Sequence, residues 1–477
     1  MAGRHVVAVG GSDAGISAAL RAREADPRCE VTVVLADGYP NFSICGIPYY
    51  VSGEVEHWSK LAHRSLQDLH DAGLNVLAGT RATVIDAETR RLTVRTAAGR
   101  DAQLSYDELV VGTGAVSVVP PISGLAGPDA LGPGDGVHLL HTIGDARALV
   151  DAITEREPRT AVIVGAGYIG LEMAETLTLR GIRVTQIEAL AQVLPTVDAD
   201  LGALVHRELA AHGVEVLTGT SVKAIEKSGT RLRVSAAEAD GQPVSRSVDV
   251  VLVVVGVRPD TALARTAGAG LGVRGAVEVD ESMRTAVPHV YAAGDCAVTH
   301  HRLLGVTWLP LGTTAHKQGR VAGENAVGGQ RRFAGSLGTQ VVKVFDLVAA
   351  RTGLREHEAA GAGHGWNPVS STSEPHDHKA YYPGATPITV RVTGDAESGL
   401  LLGAQLIGHL GAEVAKRVDI FATALFHGMD IEALSDLDLS YTPPLGSPWD
   451  ALQVAAQNWS HQHRAPGVRR GLTPRER

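Results

Sequence analysis

The sequence predicts an α/β fold, and two segments with the same grammar carry that prediction. HVVAVGGSDAGISAALRARE (residues 5–24) runs from a β-branched stretch through a glycine turn into an alanine-rich helical stretch. TAVIVGAGYIGLEMAETLTLRG (residues 160–181) repeats that order. Each is followed by a second apolar strand, EVTVVLAD and RVTQIEAL, so each reads as a βαβ unit. A third observation sets the remainder apart. Beyond about Phe333, TQVVKVFDLVAARTG, PITVRVTGD and LLGAQLIG read as strands of a separate sheet, and EVAKRVDIFATALFHG as an amphipathic helix. The expected architecture is two Rossmann-like dinucleotide-binding domains, the second inserted into or following the first, plus an α+β C-terminal domain. The corresponding ranges are residues 1–116 and 258–332 for the first module, 117–257 for the second and 333–459 for the C-terminal domain. The polar, basic stretch from 460 to 477 is expected to be disordered.

Composition agrees with this size and class. The chain has 477 residues, which at about 150 per domain means roughly three domains. Apolar residues make up 44%, enough for sizeable cores, and the net charge is −9. No general basic surface recruits nucleic acid or anionic lipid. The longest apolar run, VVLVVVGV from Val250 to Val257, is far short of the roughly 20 residues that span a bilayer. Three cysteines, Cys29, Cys45 and Cys296, make no disulfide scaffold and favour a reducing cytoplasm. HVVAVGG lacks the long apolar core and small-residue cleavage site of a secretion signal. It reads as a buried first strand.

The second glycine motif is the more regular. Gly165, Gly167 and Gly170 match G-x-G-x-x-G after a strand and at the start of a helix. Gly165 permits the turn, Gly167 the approach of a pyrophosphate, and Gly170 close helix–strand packing. The free N–H groups of the helix N-terminus then favour the phosphates. Glu188 ends the next strand, where an acid accepts hydrogen bonds from an adenine ribose 2′-OH. No Arg or Lys follows it closely, which weighs towards NADH over NADPH. The first motif keeps Gly10 and Gly15 but has Ser12 in the middle, still small enough for close approach. Its ribose acid is displaced to Asp37. Gly114, in the turn after YDELVV, and Gly294, in VYAAGDCA, mark two further glycine turns at strand ends. Asp295 after Gly294 is placed to accept hydrogen bonds from a polyol such as the ribityl chain of a flavin, or to cap a helix.

GGSDAG, GTGA, GAGYIGLEMAE, VGVRPD and VYAAGDCA, in this order, resemble the flavoprotein pyridine nucleotide–disulfide oxidoreductases over nearly the whole chain. NFSICGIPYYVSGEV is similar to the single-cysteine branch of that family, which holds coenzyme A disulfide reductase, NADH oxidase and NADH peroxidase. HDHKAYYPGA and LSYTPPLGSPWD are similar to the branch's C-terminal dimerisation domain. The resemblance implies FAD on the first module, NADH or NADPH on the second, and a homodimer in which one subunit's C-terminal domain roofs the other's active site. It also implies that tyrosines of the partner subunit hydrogen-bond at the disulfide, and Tyr441, Tyr382 and Tyr381 match those positions. Arg64 is then expected to face the phosphates of a bulky thiol substrate.

One thiol suffices in such a branch because its redox partner lies outside the protein. Cys45 would form a mixed disulfide with a bound small thiol or a sulfenic acid with oxygen. Gly46 allows close approach to a flat ring, and Pro48 suits the first turn of a helix. That helix N-terminus is expected to lower the Cys45 pKa, whereas Cys29 and Cys296 read as structural. Two departures bear on the substrate. Ile44 stands where the branch often carries Asn or Ser, which removes a hydrogen bond to the sulfur. Asp13 stands where some oxidases and peroxidases carry a histidine. The pairs His376/His378 and His300/His301 lack a second ligand pair at usable spacing, so no metal is expected. His138 and His141 read as structural. The expected activity is electron transfer from nicotinamide through flavin to Cys45 and on to a small disulfide or persulfide, coenzyme A disulfide first. NADH oxidase and a slow-turnover redox sensor are the alternatives.

Overall fold

Runs such as VVAV and VTVV have no polar face, so their strands belong in sheets covered on both sides. A computed structural model, which describes residues 3–463, shows this. Five parallel strands lie in the order Val290–Ala292, Glu108–Val111, His5–Val9, Glu30–Val34, Asn75–Leu77. A second parallel sheet has the order Glu215–Leu217, Arg183–Ile187, Thr160–Val164, Val250–Val253, Val137–Leu139. Because Val290–Ala292 returns to the first sheet after the second is complete, the second module is inserted into the first. The strands Ala115–Ser117 and Val257–Pro259 pair antiparallel where the chain leaves and re-enters the first module.

Each module also carries a three-stranded antiparallel sheet that the sequence reading missed. In the first it is Thr80–Asp86, Arg91–Thr96 and Asp101–Ser105; in the second, Thr220–Ser228, Arg231–Glu238 and Pro243–Val248. These strands are short, partly exposed and rich in Arg, Ser and Thr, so the core-strand pattern is faint in them.

Chain contacts divide the molecule into two units, Met1–Ala191 with Gly213–Ser336, and Gln192–His212 with Leu337–Arg477. The second unit is built on an antiparallel sheet in the order Gln340–Val344, Leu347–Gly353, Leu401–His409, Ile388–Asp395, Pro368–Ser373. Helix Ala199–Ala211 belongs to this unit. Just before it, Asp198 takes hydrogen bonds from Arg391 Nη1 at 2.9 Å and Gln405 Nε2 at 2.8 Å. Helices Val414–Phe426 and Ala451–His463 cover the sheet with fully buried Phe421 and Trp459. The expected disorder from Ser460 is corrected here. Trp459, whose Nε1 donates to Val369 O at 2.9 Å, carries the helix on through His463. Residues 464–477 lie outside the described residues. Among the described residues no helix is long and apolar enough to cross a membrane.

The glycine helix of the first module, Asp13–Ala25, packs on helix Gly312–Ala326 at unusually short range. A Cβ on Gly319 would lie 2.3 Å from Ala14 O, and one on Gly323 would lie 2.0 Å from Ala18 O. Both helix backbones would have to shift to admit a methyl group. Gly323→Ala is therefore expected to destabilise the fold by about 1–3 kcal/mol, read as a lowered Tm. An unchanged Tm would contradict the close approach.

Candidate functional site

The outer glycines of both motifs are demanded by the protein itself. Gly10 has φ +124° and a Cβ there would sit 2.1 Å from Gly112 O; a Cβ on Gly15 would sit 2.2 Å from Gly10 O. Gly165 and Gly170 repeat this, at 2.6 Å from Val254 O and 2.2 Å from Gly165 O. Gly167 differs. Its φ is −79° and a Cβ would meet nothing within 4 Å, so no protein atom requires glycine there. Open space over an uncapped helix N-terminus fits an approaching pyrophosphate. Ser12 occupies the equivalent place before helix Asp13–Ala25, and its side chain makes no capping hydrogen bond.

The two acids named for ribose binding are placed differently. Glu188 directly follows strand Arg183–Ile187 and is buried; its Oε2 accepts from Ala166 N at 2.7 Å and its Oε1 from Leu190 N at 2.8 Å. A carboxylate so pinned has lone pairs left for a ribose hydroxyl. In the first module Leu35 stands at that register position, its side chain 2.9 Å from where a Gly11 Cβ would be. Asp37 is exposed two residues further on, and the described residues do not anchor it to the glycine turn. Gly114, at φ +73°, accepts from Asp260 N at 2.9 Å beside the crossing strands. Gly294, at φ +80°, lies against Ala14, where its Cβ would be 2.8 Å from the alanine methyl. Asp295 enters a turn and not a helix, so it caps nothing. Burial, then the nearby Asp13 carboxylate, push its pKa up to about 6.

Cys45 lies on a strap between the two glycine helices. The strap begins at Asn41, which has φ +56° and whose N–H donates to Gly11 O at 2.5 Å. It continues through a 3-10 turn, Ile44–Gly46, into the short helix Ile47–Ser52 with Pro48 in its first turn. The far end is tied to the second module: Thr176 Oγ1 donates to Pro48 O at 3.2 Å and Arg180 Nε to Val51 O at 2.7 Å. A Cβ on Gly46 would come within 2.6 Å of Leu61 Cδ2, so a larger residue there would have to move that side chain.

Cys45 is exposed, whereas Cys29 and Cys296 are buried. The expected lowering of the Cys45 pKa is corrected. The protein walls around the sulfur and then the carboxylates of Glu172 and Asp13 push the thiol up. Helix Ile47–Ser52 has six residues and cannot outweigh them.

Next to this strap is a grouping that the sequence alone does not reveal. Asp13 and Ser17 stand one turn apart on the first glycine helix, and His316 of helix Gly312–Ala326 faces both. Its Nδ1 lies 2.7 Å from Ser17 Oγ and its Nε2 3.3 Å from Asp13 Oδ1. Burial raises the Asp13 pKa, opposed by His316 and His63. His316 also lines a cleft of about 500 Å³ with Ser17, Arg23, Glu24, Arg64 and Arg320, and Arg320 lies 3.7 Å from the Glu24 carboxylate. Arg64 thus shares a cleft of mixed charge with Arg23, Arg320 and Glu24. The i, i+4 spacing of Asp13 and Ser17 was visible in the sequence, but nothing in it tied them to a helix some 300 residues away.

The tyrosines cluster in the second unit. Desolvation, then the interaction with the neighbouring Tyr381 side chain, raises the Tyr441 pKa. The Tyr382 ring meets His378 edge-on with centroids 5.8 Å apart. Buried Arg417 holds the two loops that carry them. It donates to Asp377 O at 2.7 Å on one side and to Asp450 Oδ2 at 2.9 Å on the other. Of the histidine pairs, His378 Nδ1 lies 3.0 Å from Asp377 Oδ1 and His300 Nε2 lies 3.0 Å from Val279 O.

Comparison with known proteins agrees with these features. The family model described as pyridine nucleotide-disulphide oxidoreductase matches residues 4–319, and that of its dimerisation domain matches residues 339–451. An NADH oxidase of Methanocaldococcus jannaschii is 32% identical over 95% of this chain and 98% of its own. A CoA-dependent NAD(P)H sulfur oxidoreductase of Pyrococcus furiosus is 34% identical over the same shares, 95% and 98%. Among solved structures, an NAD-dependent persulfide reductase from A. fulgidus superposes with TM-score 0.89 at 36% identity, covering 96% of this chain and 83% of that one. The reduced CoADR-RHD of Bacillus anthracis superposes with TM-score 0.88 at 32% identity, covering 96% and 80%. The chain belongs to the pyridine nucleotide-disulphide oxidoreductases.

Proposed function

We propose that this chain uses NADH to reduce a low-molecular-weight disulfide or persulfide, coenzyme A disulfide first, at Cys45. The observation that carries this is one exposed cysteine, on a strap tied to the first glycine turn at Gly11 and to the second glycine helix at Thr176 and Arg180; a cleft that carries three arginines and Glu24 lies along the first glycine helix. Two relatives reported above, a CoA-dependent sulfur oxidoreductase and a persulfide reductase, carry names that support it.

The first glycine turn, with Ser12, Gly114 and Asp295, would hold FAD; the second, with Gly167 and Glu188, would hold the nicotinamide nucleotide. FAD bound there supplies the step from hydride to electron pair that a sulfur needs. The remaining steps fall to side chains. Glu188 accepts from a free ribose 2′-OH and repels a 2′-phosphate. Arg64, Arg23 and Arg320 attract the phosphates of a bulky thiol and orient its sulfur towards Cys45. Cys45 attacks the nearer sulfur and holds the product half as a mixed disulfide. In a homodimer, the partner subunit's Tyr441 and Tyr381 would donate hydrogen bonds to the sulfur that departs. The exposed Tyr381, Leu445 and Trp449 of the second unit supply apolar surface for that association.

Oxygen is the second acceptor to consider, since a relative is named NADH oxidase. Oxygen has no need of an arginine-lined cleft, and for that reason the disulfide is placed first.

Cys45→Ser is expected to leave flavin reduction by NADH intact, because hydride transfer does not involve the thiol. Reduction of coenzyme A disulfide should fall by orders of magnitude, since serine forms no mixed disulfide. Steady-state assays with coenzyme A disulfide, polysulfide and oxygen, in wild type and variant, check this. Full disulfide reductase activity in the variant would refute the role of Cys45.

NADH should exceed NADPH in kcat/KM by about tenfold or more, since like charges brought together without water cost on the order of several kcal/mol. A preference for NADPH would refute the role of Glu188. Gly167→Ala should leave Tm and flavin content unchanged while raising the KM for NADH about tenfold. A fall in Tm, or an unchanged KM, would mean the space over Gly167 is not the nucleotide's.

A further inference from the structure

Arg147 stands half-buried on helix Ile143–Arg156 of the second module, and among the described residues no carboxylate pairs with it. Its counterparts are aromatic. Nη1 donates to Tyr39 Oη at 2.8 Å, and Cζ lies 5.3 Å from the centre of the Trp58 ring and 5.9 Å from that of Tyr39. A planar guanidinium is suited to ring faces in a way that a point charge is not. Both rings flank the neck of the strap that carries Cys45. We propose that Arg147 is a positioning residue for the disulfide step: it seats the aromatic base of the strap on the second module and so fixes where the Cys45 sulfur stands. The inference rests on the disulfide-reductase reading above.

The strap is a loop closed at a narrow neck. Ser43 N donates to Leu61 O at 2.9 Å and His63 N to Asn41 O at 2.9 Å, so residues 41–43 and 61–63 lie side by side. Tyr39, Phe42 and Trp58 gather at this neck and meet pairwise, with ring centroids 5.7, 4.9 and 5.5 Å apart. At the same neck Asn41 N donates to Gly11 O of the first module. Arg147 therefore joins the second module to the strap where the strap leaves the first. The ties from Thr176 and Arg180 hold the far part, helix Ile47–Ser52.

A continuous line of contacts leads from the guanidinium to the sulfur. Trp58, under Arg147, opens the 3-10 turn Trp58–Leu61. Leu61 closes that turn and lies so near Gly46 that a Cβ there would sit 2.6 Å from Leu61 Cδ2. Gly46 follows Cys45 directly, and its N–H donates to Ser43 O at 3.1 Å. A shift of Trp58 is thus passed through Leu61 to the backbone at Cys45. Close packing transmits such shifts because it leaves no slack to absorb them.

The test compares FAD-loaded wild type with Arg147→Ala, Arg147→Met, Arg147→Lys and Tyr39→Phe. One reading is the rate at which iodoacetamide alkylates Cys45 in the oxidised enzyme, followed on the Cys45 peptide by mass spectrometry; it needs no acceptor. The other is kcat and KM for coenzyme A disulfide. In Arg147→Ala the strap opens more often, and alkylation should quicken about threefold or more. Its kcat should fall about tenfold through misplacement of the sulfur, while stopped-flow reduction of the flavin by NADH stays within about twofold. Arg147→Met is long but uncharged and should match Arg147→Ala. Arg147→Lys returns a cation to the ring faces and should recover about half of both effects. Tyr39→Phe keeps every ring and removes only the hydrogen bond, so it should move both readings the same way by about twofold, and it carries the test if Arg147→Ala does not fold.

Unchanged alkylation in Arg147→Ala or Tyr39→Phe would overturn the proposal. So would flavin reduction slowed as much as kcat, which marks general damage, or Arg147→Lys doing no better than Arg147→Met. If wild type reduces no disulfide, the proposed function fails, and the seat of the strap is then decided by the alkylation rates, in which lysine must still separate from methionine.

Discussion

Backbone touching backbone is the constraint from which the rest follows. Around the first module, Gly10, Gly15, Gly112, Gly319 and Gly323 each sit where a Cβ would strike a main-chain atom. The result is a strand, a turn and two helices packed more tightly than side chains permit. That packing sets the helix N-terminus over the turn, brings Gly294 against Ala14 and puts Asp295 beside Asp13. It also brings His316 within reach of Asp13 and Ser17. A site that binds phosphate through N–H groups must bring its backbone to the ligand, and the fold does so by bringing it first to itself.

Around Cys45, electrostatics work against the thiolate. A short helix offers a partial positive end, while burial and the carboxyl groups of Glu172, Asp13 and Asp295 act against the thiolate. Whole charges nearby outweigh a six-residue dipole. The protein's own groups therefore raise the pKa of this thiol above its ordinary value.

Much of the fold was legible because strand runs, glycine turns and alanine-rich helices are local signals. The parallel strands fall where VVAV, VTVV, AVIV and VVLV stand, and the C-terminal hairpin Gln340–Gly353 falls on TQVVKVFDLVAARTG. The two antiparallel three-stranded sheets were not legible, since their half-exposed strands alternate polar residues over short spans. The end of the last helix was misread because a basic tail masked the anchoring effect of Trp459. At the site, residues within a contiguous motif were found and those in partnership across the chain were not. Cys45, Glu188 and Gly167 announce themselves by their neighbours. His316 gains meaning only from Asp13, and Arg417 only from the two loops it joins.

Arg417 has a consequence for anyone recombining these enzymes. Its guanidinium is shared between Asp450, Asp377 O and Ala412 O, so both tyrosine-bearing loops hang from one buried cation on helix Val414–Phe426. Either loop grafted alone from a relative would arrive without its anchor, or strand an arginine charge in the interior. The two loops and that helix are thus the smallest cassette in which this part of the molecule can be exchanged.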